Sequence, residues 1–338
     1  MGTRYRIERR SLLTGGTALA LVPFGASRPR AQALDRVIFQ TDWRAQAEHG
    51  GYYQALSNGI YRRHGIECDL RQGGPQQNPA QLLLAGRVDM IMSNAFQALN
   101  YAREGLPFLC IGAVFQKDPQ ILMAHEGAGH DSFEQMRGKP IMIGAATRVT
   151  SWPFLRRRFG YTDDQIRPYT FNIQPFVANR LAIQQGFVTS EPYTAMTAGA
   201  RPKVHLIADA GFDGYSETID ISARMIAERR DVVQRFINAT IEGWVQYMAG
   251  RDTEPANARI KRDNPEMDDD RIDFAVREMN ARGIVRSGAA ETLGLLAMTE
   301  AKWTSFYETM RDSGVYPPGL DFRRAYSLDF VNKRVGVG

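Results

Sequence analysis

Residues 41–53 read Thr41-Asp42-Trp43-Arg44-Ala45-Gln46-Ala47-Glu48-His49-Gly50-Gly51-Tyr52-Tyr53. An indole, an imidazole, two phenols and a carboxylate follow directly on the apolar run 37–39. At a strand's carboxyl end, Trp43 and one of Tyr52 and Tyr53 can stack on a flat guest. Glu48 can accept hydrogen bonds from its N–H groups, and His49 adds a second polar group. Gly50 and Gly51 permit close backbone approach. The competing reading is packing: Trp43 as a lid on the core, and Tyr52 or Tyr53 on the buried face of a helix.

Similar polar clusters follow other strand-like runs. Gln76 sits in the turn 73–78, which a plain loop would also explain. Ser93 and Asn94 follow the run 88–92 and either face a cleft or cap the next helix. In the second half, residues 144–152 join a strand to a helix start. Trp152 there is either a second stacking wall or a packing residue. Asn172 precedes Pro175 at a comparable edge. Glu191, in Thr189-Ser190-Glu191-Pro192-Tyr193, either satisfies a helix dipole or reads an amino group.

Motifs for bond-making chemistry are missing. The chain has no G-x-S-x-G, no phosphate loop and no G-x-G-x-x-G. Its five histidines (49, 64, 125, 130 and 205) are scattered without zincin spacing. Neither a metal site nor a cofactor is expected from these patterns.

The elements that must position these groups alternate. Short apolar runs at 37–39, 66–70, 88–92 and 107–114 alternate with helical segments at 51–63, 79–85 and 95–104. Such alternation implies an α/β protein with mostly parallel sheets covered on both faces. A second unit of the same kind has strands at 140–143, 167–171, 186–188 and 204–208. Its helices start at residue 150 and span 175–185. Long amphipathic helices at 229–248, 268–282 and 289–311 end the chain. The expected division is 34–122 as the first part of lobe 1 and 123–217 as an inserted lobe 2. Residues 218–338 then complete lobe 1 and add the C-terminal helices. Crevices form outside the carboxyl ends of parallel strands, so a cleft between the lobes is expected.

The 338 residues carry a formal charge of +5. Six of the 42 basic and one of the 37 acidic residues precede residue 34, which leaves 36 of each in the remainder. The body therefore gives no electrostatic footprint for nucleic acid. Residues 1–33 read as an export signal. Arg9 and Arg10 precede a weakly apolar run at 12–26, and Ala31-Gln32-Ala33 offers a cleavage site. The paired arginines favour the twin-arginine route over the general secretory one. Cleavage near Ala33 would leave a periplasmic chain. Cys68 and Cys110 are the only cysteines and are expected as buried free thiols.

The chain resembles the periplasmic substrate-binding proteins of ABC importers. The branch is the one that also holds thiamine-pyrimidine-precursor binders and fungal pyrimidine-precursor synthases. The similar stretches are residues 43–55 (WRAQAEHGGYYQA), 86–94 (GRVDMIMSN) and 185–193 (QGFVTSEPY), with Ala208-Asp209-Ala210-Gly211-Phe212 and Tyr215-Ser216-Glu217-Thr218-Ile219. The resemblance implies a type II-like two-lobe binding fold in which aromatic walls sandwich a heterocycle. It places Trp43, His49 and Tyr52 in the first-lobe motif, Asn172 and Glu191 in the second-lobe motif, and Tyr215 in the last stretch. It also implies an inner-membrane ABC permease as partner, a monomeric state and no catalysis. The synthase relatives use a Cys-rich motif and a lysine-linked pyridoxal phosphate. This chain has no such Cys cluster, and no Lys between residues 34 and 116. Relatives that bind sulfonates, taurine or nitrate share the fold and leave an anionic ligand as the alternative.

Overall fold

The computed structural model describes residues 1–3, 33–74, 77–335 and 337. The chain divides into Met1–Ala33 and Leu34–Gly338; the fold described is that of the second unit. Most of the export signal read at 1–33, and Gln76, lie outside the described residues.

Two five-stranded mixed sheets carry the fold. The first uses β1 (Asp35–Gln40), β2 (Ile66–Arg71), β3 (Met90–Asn94) and β4 (Phe108–Phe115). The second uses β5 (Gln120–His125), β6 (Ile141–Ile143), β7 (Ile166–Pro168), β8 (Ile183–Phe187) and β9 (Pro202–Leu206). The last strand, β10 (Ser216–Ser222), returns to the first sheet. The spatial orders are β2-β1-β3-β10-β4 and β7-β6-β8-β5-β9. In each sheet the fourth strand alone is antiparallel to its neighbours: β10 to β3 and β4, and β5 to β8 and β9. Each is the strand by which the chain enters that lobe from the other. The remaining strands are parallel and need long crossovers. Helices such as Pro79–Leu84 and Ala95–Glu104 supply them.

Local chemistry sets the helix starts. Asn78 and Asn94 each accept a backbone N–H three residues on, from Gln81 at 3.3 Å and Gln97 at 3.1 Å. Asp268 does the same for Arg271 at 2.7 Å. Each satisfies one amide that helix geometry leaves unpaired.

The packing around Gly50 and Gly51 differs from expectation. A Cβ on Gly51 would stand 2.2 Å from the Trp244 ring, and one on Gly50 would stand 1.9 Å from the Tyr247 ring. From the opposite side, a Cβ on Gly243 would meet the Gly51 carbonyl oxygen at 2.3 Å. The Gly-Gly pair therefore lets helix Gly50–Ser57 lie flush against helix Ala223–Met248. The close approach is between helices.

Three expected elements change. The helix read at 51–63 is two pieces, broken at Gly59, whose φ is +68°. The helix read at 175–185 ends at Ala178, and Ile183–Phe187 is a strand. There β5 and β6 flank the segment and satisfy its backbone on both sides, so pairing overrides local helix preference. The helix read at 289–311 is split into Ala289–Leu293 and Glu300–Asp312, the second capped by Thr299. The boundaries drawn at 122 and 217 fall inside β5 and β10; the lobe crossings run through 116–119 and 207–215. Cys68 and Cys110 are free thiols, the first half-buried and the second buried. No helix among the described residues is long and apolar enough to cross a membrane.

Candidate functional site

A cleft of about 890 Å³ opens between the two sheets' lobes. Lobe 1 contributes Trp43, Arg44, Gln46 and Glu48 from the segment after β1. It also contributes Asn264, Glu266, Met267, Arg271 and Ala275 from the C-terminal helical region. Lobe 2 contributes residues 169–173, after β7, and Thr189, Ser190, Glu191 and Thr194, after β8. Both lobes thus present the carboxyl ends of parallel strands to the cleft, where open α/β sheets bind ligands.

Several contacts join the two lobes here. Trp43 faces Phe171, with ring centroids 5.6 Å apart and planes inclined by 44°. The Thr189 hydroxyl donates to the Glu48 carboxylate in a short hydrogen bond. Arg271, on helix Asp269–Ala281, donates to the Thr194 hydroxyl at 3.1 Å and lies over the Tyr193 ring at 5.0 Å.

The lobe 2 wall is a small polar network. The Glu191 carboxylate accepts from the Phe187 amide at 2.7 Å and from the Tyr169 hydroxyl at 3.1 Å. It folds back over Gly186, where a Cβ would come within 2.7 Å of the Glu191 Cβ. Glycine before Phe187 is therefore what lets the carboxylate reach that amide. Burial raises the Glu191 pKa; the Phe187 amide lowers it, and the Glu48 charge adds to the rise. Tyr169 in turn packs on Phe171 at 5.1 Å. Asn172 accepts from the Gln174 amide at 3.0 Å through Oδ1.

The electrostatics of the cleft are specific. The Glu48 charge adds to the rise in the Glu191 pKa across it. Arg44 is paired with Glu266 at 3.1 Å, and Arg271 is held by Thr194 and Tyr193. An anionic guest would meet three carboxylates, those of Glu48, Glu191 and Glu266, and two engaged guanidiniums.

Of the residues singled out in the sequence, Trp43, Glu48, Asn172 and Glu191 line this cleft. Seven others do not. Tyr52 is buried between Phe39 at 4.6 Å and Trp244 at 5.9 Å. Tyr53 is buried on the same helix, beside Asp263. The His49 ring is fully buried, 3.6 Å from Asp42. Ser93 lies in β3, paired with Thr218 of β10, and Asn94 is spent on its helix cap. Trp152 is buried in lobe 2, donating its indole N–H to Asp163 at 2.9 Å and packing on Tyr161. It is no stacking wall. The Tyr215 hydroxyl accepts from the Thr299 amide at 3.0 Å, and its ring packs on Trp303. In each case the group lies in the interior or caps a helix and does not face the cleft.

Phe171, Tyr169, Thr189 and Arg271 were not among the expected site residues. Phe171 was read as the last residue of a strand; β7 instead stops at Pro168. Phe171 adopts φ +60° and is 61% exposed. An aromatic pair two residues apart just past a strand was the signal available.

A model of the family described as NMT1/THI5 like matches residues 46–254. The riboflavin-binding protein RibY of Chloroflexus aurantiacus is 22% identical over 335 residues, covering 93% of this chain and 92% of that protein. The 4-amino-5-hydroxymethyl-2-methylpyrimidine phosphate synthase of Schizosaccharomyces pombe is 26% identical over 109 residues, 32% of each chain. The periplasmic aliphatic sulphonate binding protein SsuA from Escherichia coli superposes with a TM-score of 0.66 at 10% identity, over 86% of this chain and 91% of that one. That last likeness is one of fold.

Proposed function

The chain belongs to the NMT1/THI5 like family, and from that premise we propose that it is the extracytoplasmic solute-binding component of an ABC importer. Its ligand is a flat nitrogen-containing heterocycle held between the lobes and handed to a permease without any bond being made or broken. The observation that carries this reading is the Trp43–Phe171 pair, one ring from each lobe across the cleft.

Their 5.6 Å separation leaves no room for a guest between them. A ring sandwiched at van der Waals distance on both faces needs roughly 7 Å between the walls. A ligand sandwiched by both rings must therefore part them. Such a guest replaces an aromatic contact with two. Glu48 and Glu191 then take ring N–H or amino groups, and the Asn172 amide supplies a donor.

The cleft volume lies near the upper end of the about 300–1,000 Å³ usual for small-molecule sites. That favours a fused-ring guest of flavin type over a single pyrimidine, and the similarity to RibY supports the same class. The two facing carboxylates disfavour a sulfonate or nitrate. The mature chain titrated calorimetrically with riboflavin, a hydroxymethylpyrimidine, thiamine, taurine and nitrate tests this. Binding of a heterocycle but not of the anions is expected; tight binding of taurine or nitrate alone contradicts it.

A further inference from the structure

Behind the cleft, three side chains converge without partners. Single atoms of Asp42, His49 and Glu217 lie within 4.8 Å of one another. His49 is fully buried and Glu217 is 4% exposed. Both His49 ring nitrogens, Asp42 Oδ1 and Glu217 Oε2 lack a hydrogen-bond partner, as does the hydroxyl of Tyr52. Unpaired polar atoms in a dry interior are costly, and carboxylates most of all.

The backbone spends conformational energy to place Glu217 there. Its φ is +50°, and the ladder between β10 and β3 slips between Ser216 and Thr218. Such bulges re-aim a side chain. The His49–Asp42 separation of 3.6 Å is too long for a hydrogen bond. Two donors each about 2.1 Å from a common cation stand about 3.4 Å apart at a tetrahedral angle.

We propose that Asp42, His49 and Glu217 form a site for a divalent first-row transition-metal cation. One imidazole and two carboxylates are a donor set for such ions. Asp42 is 45% exposed on its side chain and gives the route of entry. The cation gives Asp42 Oδ1, Glu217 Oε2 and one His49 ring nitrogen the partner they lack. It also ties the Trp43 segment to the strand by which the chain re-enters lobe 1.

The test uses the mature chain purified without a polyhistidine tag and stripped with chelator. Zinc is titrated by calorimetry, and cobalt by its visible absorption. One cation per chain and a rise in melting temperature on zinc addition are expected. His49→Ala and Glu217→Gln should each weaken zinc binding by at least about a hundredfold, while His64→Ala, which removes an imidazole outside the cluster, binds as the parent does. If circular dichroism shows either variant unfolded, the more exposed Asp42→Asn carries the comparison, with the same loss expected. A parent protein that takes up neither metal, or a folded variant that binds zinc as tightly as the parent, overturns the site. Neither outcome bears on heterocycle binding, which is read with the stripped protein.

Discussion

Glu48 and Thr189 sit on opposite lobes and share a hydrogen bond across the cleft. Glu48 lies in the short helical turn after β1, and Thr189 in the turn after β8. The bond closes the lobes at the same level as the Trp43–Phe171 contact. A ligand that inserts must therefore replace a charge-assisted hydrogen bond as well as an aromatic pair.

Thr189→Val removes the donor and leaves the Glu48 carboxylate facing a methyl group. The ligand-free lobes should spend more time apart. Small-angle scattering should give a larger radius of gyration for the variant than for the parent, with the two converging once ligand is bound. An unchanged radius in the free state would show that this bond does not hold the lobes.

Stacking is tested on each wall. Trp43→Ala should weaken ligand binding tenfold or more, which is about 1.4 kcal/mol. Phe171→Ala should cost somewhat less, since its ring is more exposed. Titration calorimetry reads both. Trp152→Phe, by contrast, removes a buried N–H donor to Asp163 and should lower stability while leaving ligand affinity unchanged.

Gly243→Ala tests the helix contact. Its added methyl group meets the Gly51 carbonyl oxygen, which no rotamer change can move aside. The loss should lie at or above the top of the roughly 1–3 kcal/mol typical of overpacking. Urea denaturation reads it. A loss near zero would mean that the two helices separate freely at that point.

Two buried acids, Asp118 at a lobe crossing and Asp220 inside β10, give a pH dependence. Burial raises the Asp118 pKa to about 6 and the Asp220 pKa to about 7, against the pull of their hydrogen-bond donors. The native state thus binds protons more tightly than the unfolded chain does. Stability contributed by these groups is fully present below the unfolded carboxyl pKa, and is lost as pH rises through about 6 for Asp118 and about 7 for Asp220. The urea midpoint should fall between pH 5 and pH 8, and Asp220→Asn should flatten much of that fall. An Asp220→Asn slope equal to the parent's would place the effect elsewhere.

The sequence pattern made some of this legible. Parallel strands alternate with capped helices, so β1 to β4 could be placed by their apolar runs and by Asn78 and Asn94. Cleft-lining residues directly beyond strand ends, Trp43, Glu48 and Glu191, could be read because topology alone sends such positions to a cleft. Tyr52, Tyr53, Trp152 and Tyr215 misled because a buried aromatic and a stacking aromatic look alike in sequence. Which one results depends on partners: Trp244 and Trp303, far along the chain, for Tyr52 and Tyr215, and Tyr161 for Trp152. The glycines at 50 and 51 misled for the same reason: their neighbours are Trp244 and Tyr247. Phe171 was hidden by the misplaced end of β7. The Asp42–His49–Glu217 group was invisible to spacing, because β10 brings Glu217 back from the far end of lobe 2.

A heterocycle gripped between Trp43 and Phe171 is tested most directly by quenching of indole fluorescence on titration with riboflavin, in the parent and in Trp43→Phe. Saturable one-to-one quenching in the parent, with most of the signal change lost in a Trp43→Phe variant that still binds, is the predicted result. Quenching of equal size in both proteins would place the ligand away from Trp43 and contradict it.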